Sequence, residues 1–340
     1  MQPGFFDLDN RLQLLEKLGD PLPKLQRSVD WEAFRTLLNV VHEKKRKSNA
    51  GRKPYDVVLM FKILVLQHLY NLSDEQIEYQ IRDRYSFCRF LDLSPEGQVP
   101  DARTVWLFRE RLKEKELVEQ LFDLLMQQIN DAGFIARKGQ IVDASFVTAP
   151  RQRNSRDENA AIKKGQTPEG WEDKSDTVLR QKDVDARWTK KNFVNYYGYK
   201  NHVSVDNENK LIRRYEVTTA SVHDSQVFDV LLDPDNTNAN VWADSAYRST
   251  EQEQSLNANG YRSHINTKGR RNKPLSNRAQ QANYNRSKVR CRVEHVFGTQ
   301  EAMGGMLVRT IGKARAGVKI GLMNLTYNLK RFSWLQGQLA

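Results

Sequence analysis

Over the first 135 residues the apolar positions recur at helical spacing; beyond residue 138 they gather into short strand-like runs. Trp31, Phe34, Leu37, Leu38 and Val41 lie three or four apart after Asp30, which predicts a helix with Asp30 as its N-cap. From Pro54 to Leu72 apolar residues cover most of the helical circumference, so this helix is expected to be central. Ser73-Asp74-Glu75-Gln76 fits a capping box, with Ser73 capping and Gln76 reaching back. Helix, tight turn, helix is the outline of a helix-turn-helix and equally of any antiparallel helix pair. Asp101 opens a further helix, and another runs from about Leu117 to Ala132 and closes at Gly133.

The period then changes. Gly139 to Val147 reads as a strand, followed from Arg151 to about Lys191 by a polar stretch whose few large apolar residues are Trp171, Val178, Leu179, Val184 and Trp188. That stretch is expected to be an insertion, partly ordered at best. Two strands follow, Tyr197 to Val205 and Ile212 to Thr219, joined by a turn at Asp206-Asn207-Glu208-Asn209. Next come a short helix at Ser225–Leu232, a compact strand Asn240-Val241-Trp242-Ala243 ending at Asp244, a helix near Thr250–Asn257 and a strand near Ser263–Asn266. Helices at about Asn283–Gln300 and Lys313–Phe332 close the chain. The order predicts an α/β mixed sheet flanked by helices, preceded by an all-α N-terminal domain. The expected division is a helical DNA-binding or dimerisation domain over 1–135 and a domain over 136–340, with a polar insertion near 150–193 and a basic C-terminal helical part.

Charge sharpens this outline. The net charge is +12, and nearly all of the excess lies in residues 268–340, which hold 15 Lys and Arg but only two acidic residues. A basic surface favours a polyanionic partner. The segment is not a merely solvated tail, because it also carries Val289, Val293, Val296, Phe297, Ile320, Leu322, Leu325, Tyr327, Leu329 and Trp334. The two cysteines, Cys88 and Cys291, lack the spacing of a zinc site or a disulfide framework, and the chain reads as cytoplasmic. The greasiest run, Val57 to Tyr70, is too short to span a bilayer and contains Lys62, Gln67 and His68.

Three carboxylates stand out against this background. Asp143 and Asp244 each follow an apolar strand; if the strands are neighbours the two charges crowd, which is costly unless a cation holds them. Glu294 is one of only two acidic residues in the basic segment. On the helix predicted over 283–300, Val289, Val293 and Val296 form the stripe that packs on the sheet, and Arg286, Arg290 and Glu294 form the adjoining one. An exposed Arg290–Glu294 helix pair is the plain alternative, worth only ~0.3–0.5 kcal/mol. Hard oxygen donors of this kind suit Mg²⁺ or Mn²⁺, and two ions about 3.5–4 Å apart serve both oxygens of a phosphoryl transfer.

Ile141-Val142-Asp143-Ala144-Ser145, Trp242-Ala243-Asp244-Ser245-Ala246-Tyr247 and Val289-Arg290-Cys291-Arg292-Val293-Glu294-His295-Val296-Phe297 resemble the three catalytic blocks of DDE transposases, most closely the bacterial insertion-sequence family five within the family-four-like group. Gly198-Tyr199-Lys200-Asn201-His202, Val222-His223-Asp224-Ser225 and Asp185-Ala186-Arg187-Trp188-Thr189-Lys190-Lys191 resemble that family too, as do Pro54-Tyr55 to Leu72 and Pro100 to Arg109. The resemblance implies an RNase H-like fold, catalysis by Asp143, Asp244 and Glu294 on two Mg²⁺ (or Mn²⁺) ions, cleavage of double-stranded DNA at insertion-sequence ends, and strand transfer into a target, by a homodimer. The pattern departs from the wider group at Ser287 and Glu301, where a Tyr and a Lys are usual.

For the DNA path the candidates are Arg290 first, then Arg286, Lys288, Arg292, Lys268, Arg270, Arg271, Lys273, Lys200 and Trp188. Trp171 and Trp188 could stack on an unpaired base or anchor the insertion. His202 is expected to face out of its strand, and His223 to precede Asp224 as a helix N-cap. The competing functions are a non-catalytic DNA-binding protein and a metal-dependent nuclease without strand transfer. No small-molecule substrate and no membrane is expected.

Overall fold

The computed structural model describes residues 7–42, 53–94, 96–152, 154–191, 193–269 and 274–339. Among the described residues eight α-helices come first: α1 (Asp7–Lys17), α2 (Leu22–Ser28), α3 (Arg35–Asn39), α4 (Val57–Leu69), α5 (Asp74–Asp83), α6 (Tyr85–Phe90), α7 (Ala102–Glu114) and α8 (Leu117–Asp131). Their ends follow the local chemistry. Asp56 caps α4 by accepting from the amides of Val58 and Leu59, Ser73 and Gln76 form the expected capping box on α5, and Asp101 caps α7 through the Thr104 amide. Gly133, in the left-handed region at φ +89°, ends the run after α8. Helix α4 is buried nearly all round, including Lys62, whose ammonium pairs with Asp92 at 2.7 Å and lies 5.6 Å from the rings of both Trp31 and Phe90.

The sheet comprises β1 (Gln140–Thr148), β2 (Arg187–Lys191), β3 (Val194–Asp206), β4 (Ile212–Thr219), β5 (Asn240–Trp242) and β6 (Arg262–Ser263). Central β1 pairs antiparallel with β3, which pairs antiparallel with β4; on the other side β1 runs parallel to β5, and β5 to β6. Three antiparallel strands followed by two parallel ones, with β2 paired antiparallel to the start of β3, make the mixed sheet of an RNase H-like fold, as expected. The remaining helices are α9 (Arg156–Lys163), α10 (Asp176–Leu179), α11 (Phe228–Leu231), α12 (Thr250–Ala258), α13 (Asn277–Arg290), α14 (Glu294–Ala302) and α15 (Lys313–Leu339).

Alternation along the strands sorts the core into layers. Ile141, Val203, Val205 and Trp242 face the larger one, which continues without interruption into α2, α4, α7 and α8. Val142, Val241 and Ala243 face the other, made with Phe228, Leu231, Tyr247, Leu256 and Ile265. Helix α15 is shared. It packs on β3 and β4 and also against α2, α4, α7 and α8, and Arg315 pairs with Glu110 of α7 through bonds of 2.8 and 2.9 Å.

Two expectations change. The helix predicted over 283–300 is interrupted: α13 ends at Arg290, a 3₁₀ turn covers Cys291–Val293, and α14 restarts at Glu294. No Pro or Gly marks the place, since tightening a helix to three residues per turn needs neither. The insertion is also more regular than expected, for it holds α9, α10 and β2, with a capping box between Ser155 and Glu158. Polar contacts replace the missing apolar ones. Trp171 is buried and donates to Glu158 at 2.7 Å, with the ammonium groups of Lys174 and Lys182 5.1 and 5.4 Å from its ring centre, so it anchors the insertion. Buried Asp183 accepts from the Tyr199 hydroxyl and the Gly312 amide, and Asp185 from the Lys313 amide, which sets two carboxylates at the positive end of α15.

Candidate active site

Asp143 lies inside β1, not at its end, but β5 stops at Trp242. The parallel register pairs Ile141 with Trp242, two residues before Asp143 and Asp244. The two aspartates therefore leave neighbouring strands at one level. Each lies two positions beyond a residue of the larger core, and Asp244 keeps extended backbone angles, so both carboxylates take the same side of the sheet. Asp143 is buried; Asp244 is half-buried and accepts from the Ala246 amide at 2.7 Å, capping the turn Ser245–Tyr247.

Helix α13 brings the first cation. Arg290 donates from Nη1 to Asp143 Oδ2 at 2.6 Å, and its Nη2 stands 3.9 Å from Glu294 Oε1. The Ala144 amide donates to Asp143 Oδ1 at 2.8 Å. Burial pushes the Asp143 carboxyl above the usual range; Arg290 and the Ala144 amide oppose the shift, and the charge of Asp244 adds to it. Glu294 opens α14 with its side chain two-thirds exposed and reaches the aspartates only through Arg290. Among the described residues no three His, Cys, Asp or Glu side chains cluster closely enough to hold an ion. Two carboxylates at one sheet level, one of them buried against a guanidinium, are nonetheless a donor set that fits a hard divalent cation.

The family models decide what this arrangement belongs to. Residues 9–111 match a transposase domain of the DUF772 type, and residues 136–329 match the transposase DDE domain. The chain belongs to the transposase DDE family. It is a DDE transposase, an enzyme acting on DNA, and its family implies dependence on a divalent metal. Among solved structures the chain is similar to a piggyBac transposase in a synaptic complex with hairpin DNA, at 13% identity and a TM-score of 0.48, over 94% of this chain and 76% of that one. A likeness that slight carries no argument about this transposase.

The other predicted DNA contacts divide. Lys268 and Lys288 are exposed, the latter 4.4 Å from the Tyr284 ring centre. Arg286 donates to the Ile265 carbonyl at 3.0 Å, bracing the segment after β6, and Arg292 holds Asn207 at 2.7 and 3.0 Å. Trp188, 42% exposed, leans on Tyr197 with Arg151 beside it. Arg270, Arg271 and Lys273 lie outside the described residues. Lys200 does not belong on a DNA path: it is buried, and its ammonium donates to the Val222 carbonyl at 2.6 Å and to Asp224 at 2.7 Å. His202 faces inward, fully buried, with Nε2 2.8 Å from the Thr218 hydroxyl. The cap before the 3₁₀ turn at Asp224 is His223, which accepts from the Ser225 amide.

Tyr247 is the neighbour that reading the residues singly does not reveal. It is fully buried in the other core layer; its hydroxyl has no hydrogen-bond partner among the described residues, and burial first, then the charges of Asp143, Asp224 and Asp244, push its pKa well above normal. A tyrosine three residues after Asp244 is the available signal, and periodicity gives it no weight.

Proposed function

We propose that this transposase cuts double-stranded DNA at the ends of an insertion sequence and joins the freed 3′ end to a target, and that Asp143, Asp244 and Glu294 are its catalytic carboxylates. The observation that carries the reading is the placement of Asp143 and Asp244 at one level and on one side of the sheet, beside the segment bearing Arg290 and Glu294. Bound Mg²⁺ or Mn²⁺, two ions in the full assembly, would supply charge neutralisation at the phosphate and a more acidic water. The chain's own groups do the rest. Asp143 presents hard oxygens from β1 and Asp244 from just beyond β5, and Glu294 completes the set once its side chain turns inward. Arg290 faces the phosphate, where a planar guanidinium can bond two oxygens at once. Exposed Lys268, Lys288 and Arg292 extend the positive track, with Trp188 at its edge; such contacts position DNA without reading its sequence.

Within the family we place the chain in the insertion-sequence family five group, acting as a homodimer on DNA in the cytoplasm. The two domains proposed are 1–135, for DNA binding or dimerisation, and 136–340, for catalysis. Among the described residues no helix is long and apolar enough to cross a membrane.

A labelled duplex carrying the element's end and flank, incubated with Mg²⁺, tests the reading. Cutting at the boundary and joining to a second duplex are expected. Cutting without joining would indicate a nuclease, and a shift without cutting a DNA-binding protein. Asp143→Asn should abolish cutting while DNA binding persists; a variant that cuts like the wild type would remove Asp143 from the mechanism.

A further inference from the structure

We propose that Arg290 is a built-in counter-cation of the carboxylate site, which a DNA phosphate must draw away before divalent metal binds. The proposal rests on the catalytic reading above and adds a coupling between its two ligands. One guanidinium spans carboxylates from different elements: Nη1 lies 2.6 Å from Asp143 on β1, and Nη2 3.9 Å from Glu294 at the start of α14. It thus stands between two of the three proposed metal donors and takes up the negative charge that a metal ion would need.

Arg290 is held there by more than proximity. Asp143 is buried on its strand, and a carboxylate taken out of water needs a compensating cation. Asp244, at the same level, raises that need because it adds a like charge. A metal ion and Arg290 therefore compete for the same negative charge. Releasing Arg290 into water would leave its own charge without a carboxylate, whereas releasing it to a phosphate replaces one anion with another. The side chain is 25% exposed, so its tip lies at the border between the acid pair and the solvent. Its Nε is buried with no hydrogen-bond partner among the described residues, so this side chain is not fully satisfied in its present pose. Arg286, Lys288 and Arg292 stand on the same stretch of chain and favour the approach of a polyanion. Linkage then requires that DNA tighten metal binding and that metal tighten DNA binding by the same factor.

The experiment measures Mn²⁺ alone, by the paramagnetic resonance signal of the free ion, titrated into the full chain with and without a short random-sequence duplex. Wild type, Arg290→Met, Arg290→Gln and Asp143→Asn are compared, with thermal unfolding as a check on each fold. Without DNA, both Arg290 variants should bind Mn²⁺ about tenfold more tightly than wild type, and the duplex should tighten the wild type by about tenfold but the variants by less than about threefold. Equal affinities in wild type and Arg290 variants, with equal effects of DNA, would overturn the proposal. If Asp143→Asn still loses Mn²⁺ in that case, the metal site stands and only the coupling falls. If no form binds Mn²⁺, with or without DNA, both fall. Should the variants misfold, the wild type decides alone, since a duplex that leaves its Mn²⁺ affinity unchanged refutes the coupling.

Discussion

Asn324, fully buried on α15, offers a quantitative test of how the active-site elements are held together. Its Oδ1 accepts from Asn201 Nδ2 at 2.8 Å and from Gln300 Nε2 at 2.7 Å, and its Nδ2 donates to Asn201 Oδ1 at 3.0 Å. Asn201 is on β3, beside the strand of Asp143, and Gln300 is on α14, which opens with Glu294. The amide therefore ties the sheet to the helix of the third carboxylate. Asn324→Ala removes three hydrogen bonds and strands two donors and an acceptor in a dry interior, each costing ~1–3 kcal/mol. The Asn201–Gln300 contact of 3.4 Å survives and offsets part of this, so a loss of about 3–5 kcal/mol is expected. Urea unfolding followed by circular dichroism measures it. Replacing Asn201, Gln300 and Asn324 together by Leu should cost much less than the sum of the single changes, because no polar group is then left unpaired. A single-variant loss below about 1 kcal/mol, or additive losses in the triple, would refute the reasoning.

Two other outcomes follow from the site's surroundings. His202, whose pKa burial lowers to about 4, is neutral in the folded chain and charges freely only on unfolding; its contribution is intact above about pH 6.5 and is lost as pH falls toward 4, by up to ~3 kcal/mol, so unfolding measured across this window should lose that slope in His202→Gln. In DNA-binding titrations against salt, Lys288→Ala should reduce the slope of log K by about 0.9 if its one phosphate contact is lost, while Lys200→Met, whose ammonium faces Asp224, should leave the slope unchanged.

Much of the fold was legible because its signals are local. The capping box at Ser73, the Asp101 cap, the Gly133 stop and the alternation along β1, β3 and β4 each depend on a few adjacent residues. The two aspartates stood out for the same reason: an acid directly after a short apolar run is a local anomaly, although β1 continues past Asp143. What escaped depends on partners far along the chain. Lys200 and His202 look like outward strand positions until Asp224 and Thr218 arrive from β4 and the turn beyond it. The tight turn at Cys291–Val293 has no residue signature, yet it ends the helix just after Arg290 and restarts it at Glu294. The relation of Glu294 to the aspartates, through a guanidinium rather than directly, is a matter of rotamers that no spacing rule contains. The order of the insertion escaped because carboxylates and one buried indole, rather than a greasy stripe, hold it.

Helix α15 has a consequence for how the polypeptide is made. Its residues wall off the opening helices as well as the sheet, so while a ribosome is still delivering the middle of the chain, α2, α4, α7 and α8 lack one side of their interior. The part translated first is thus among the last to be finished, and a nascent transposase stays incomplete at both ends until residues 313–339 have emerged.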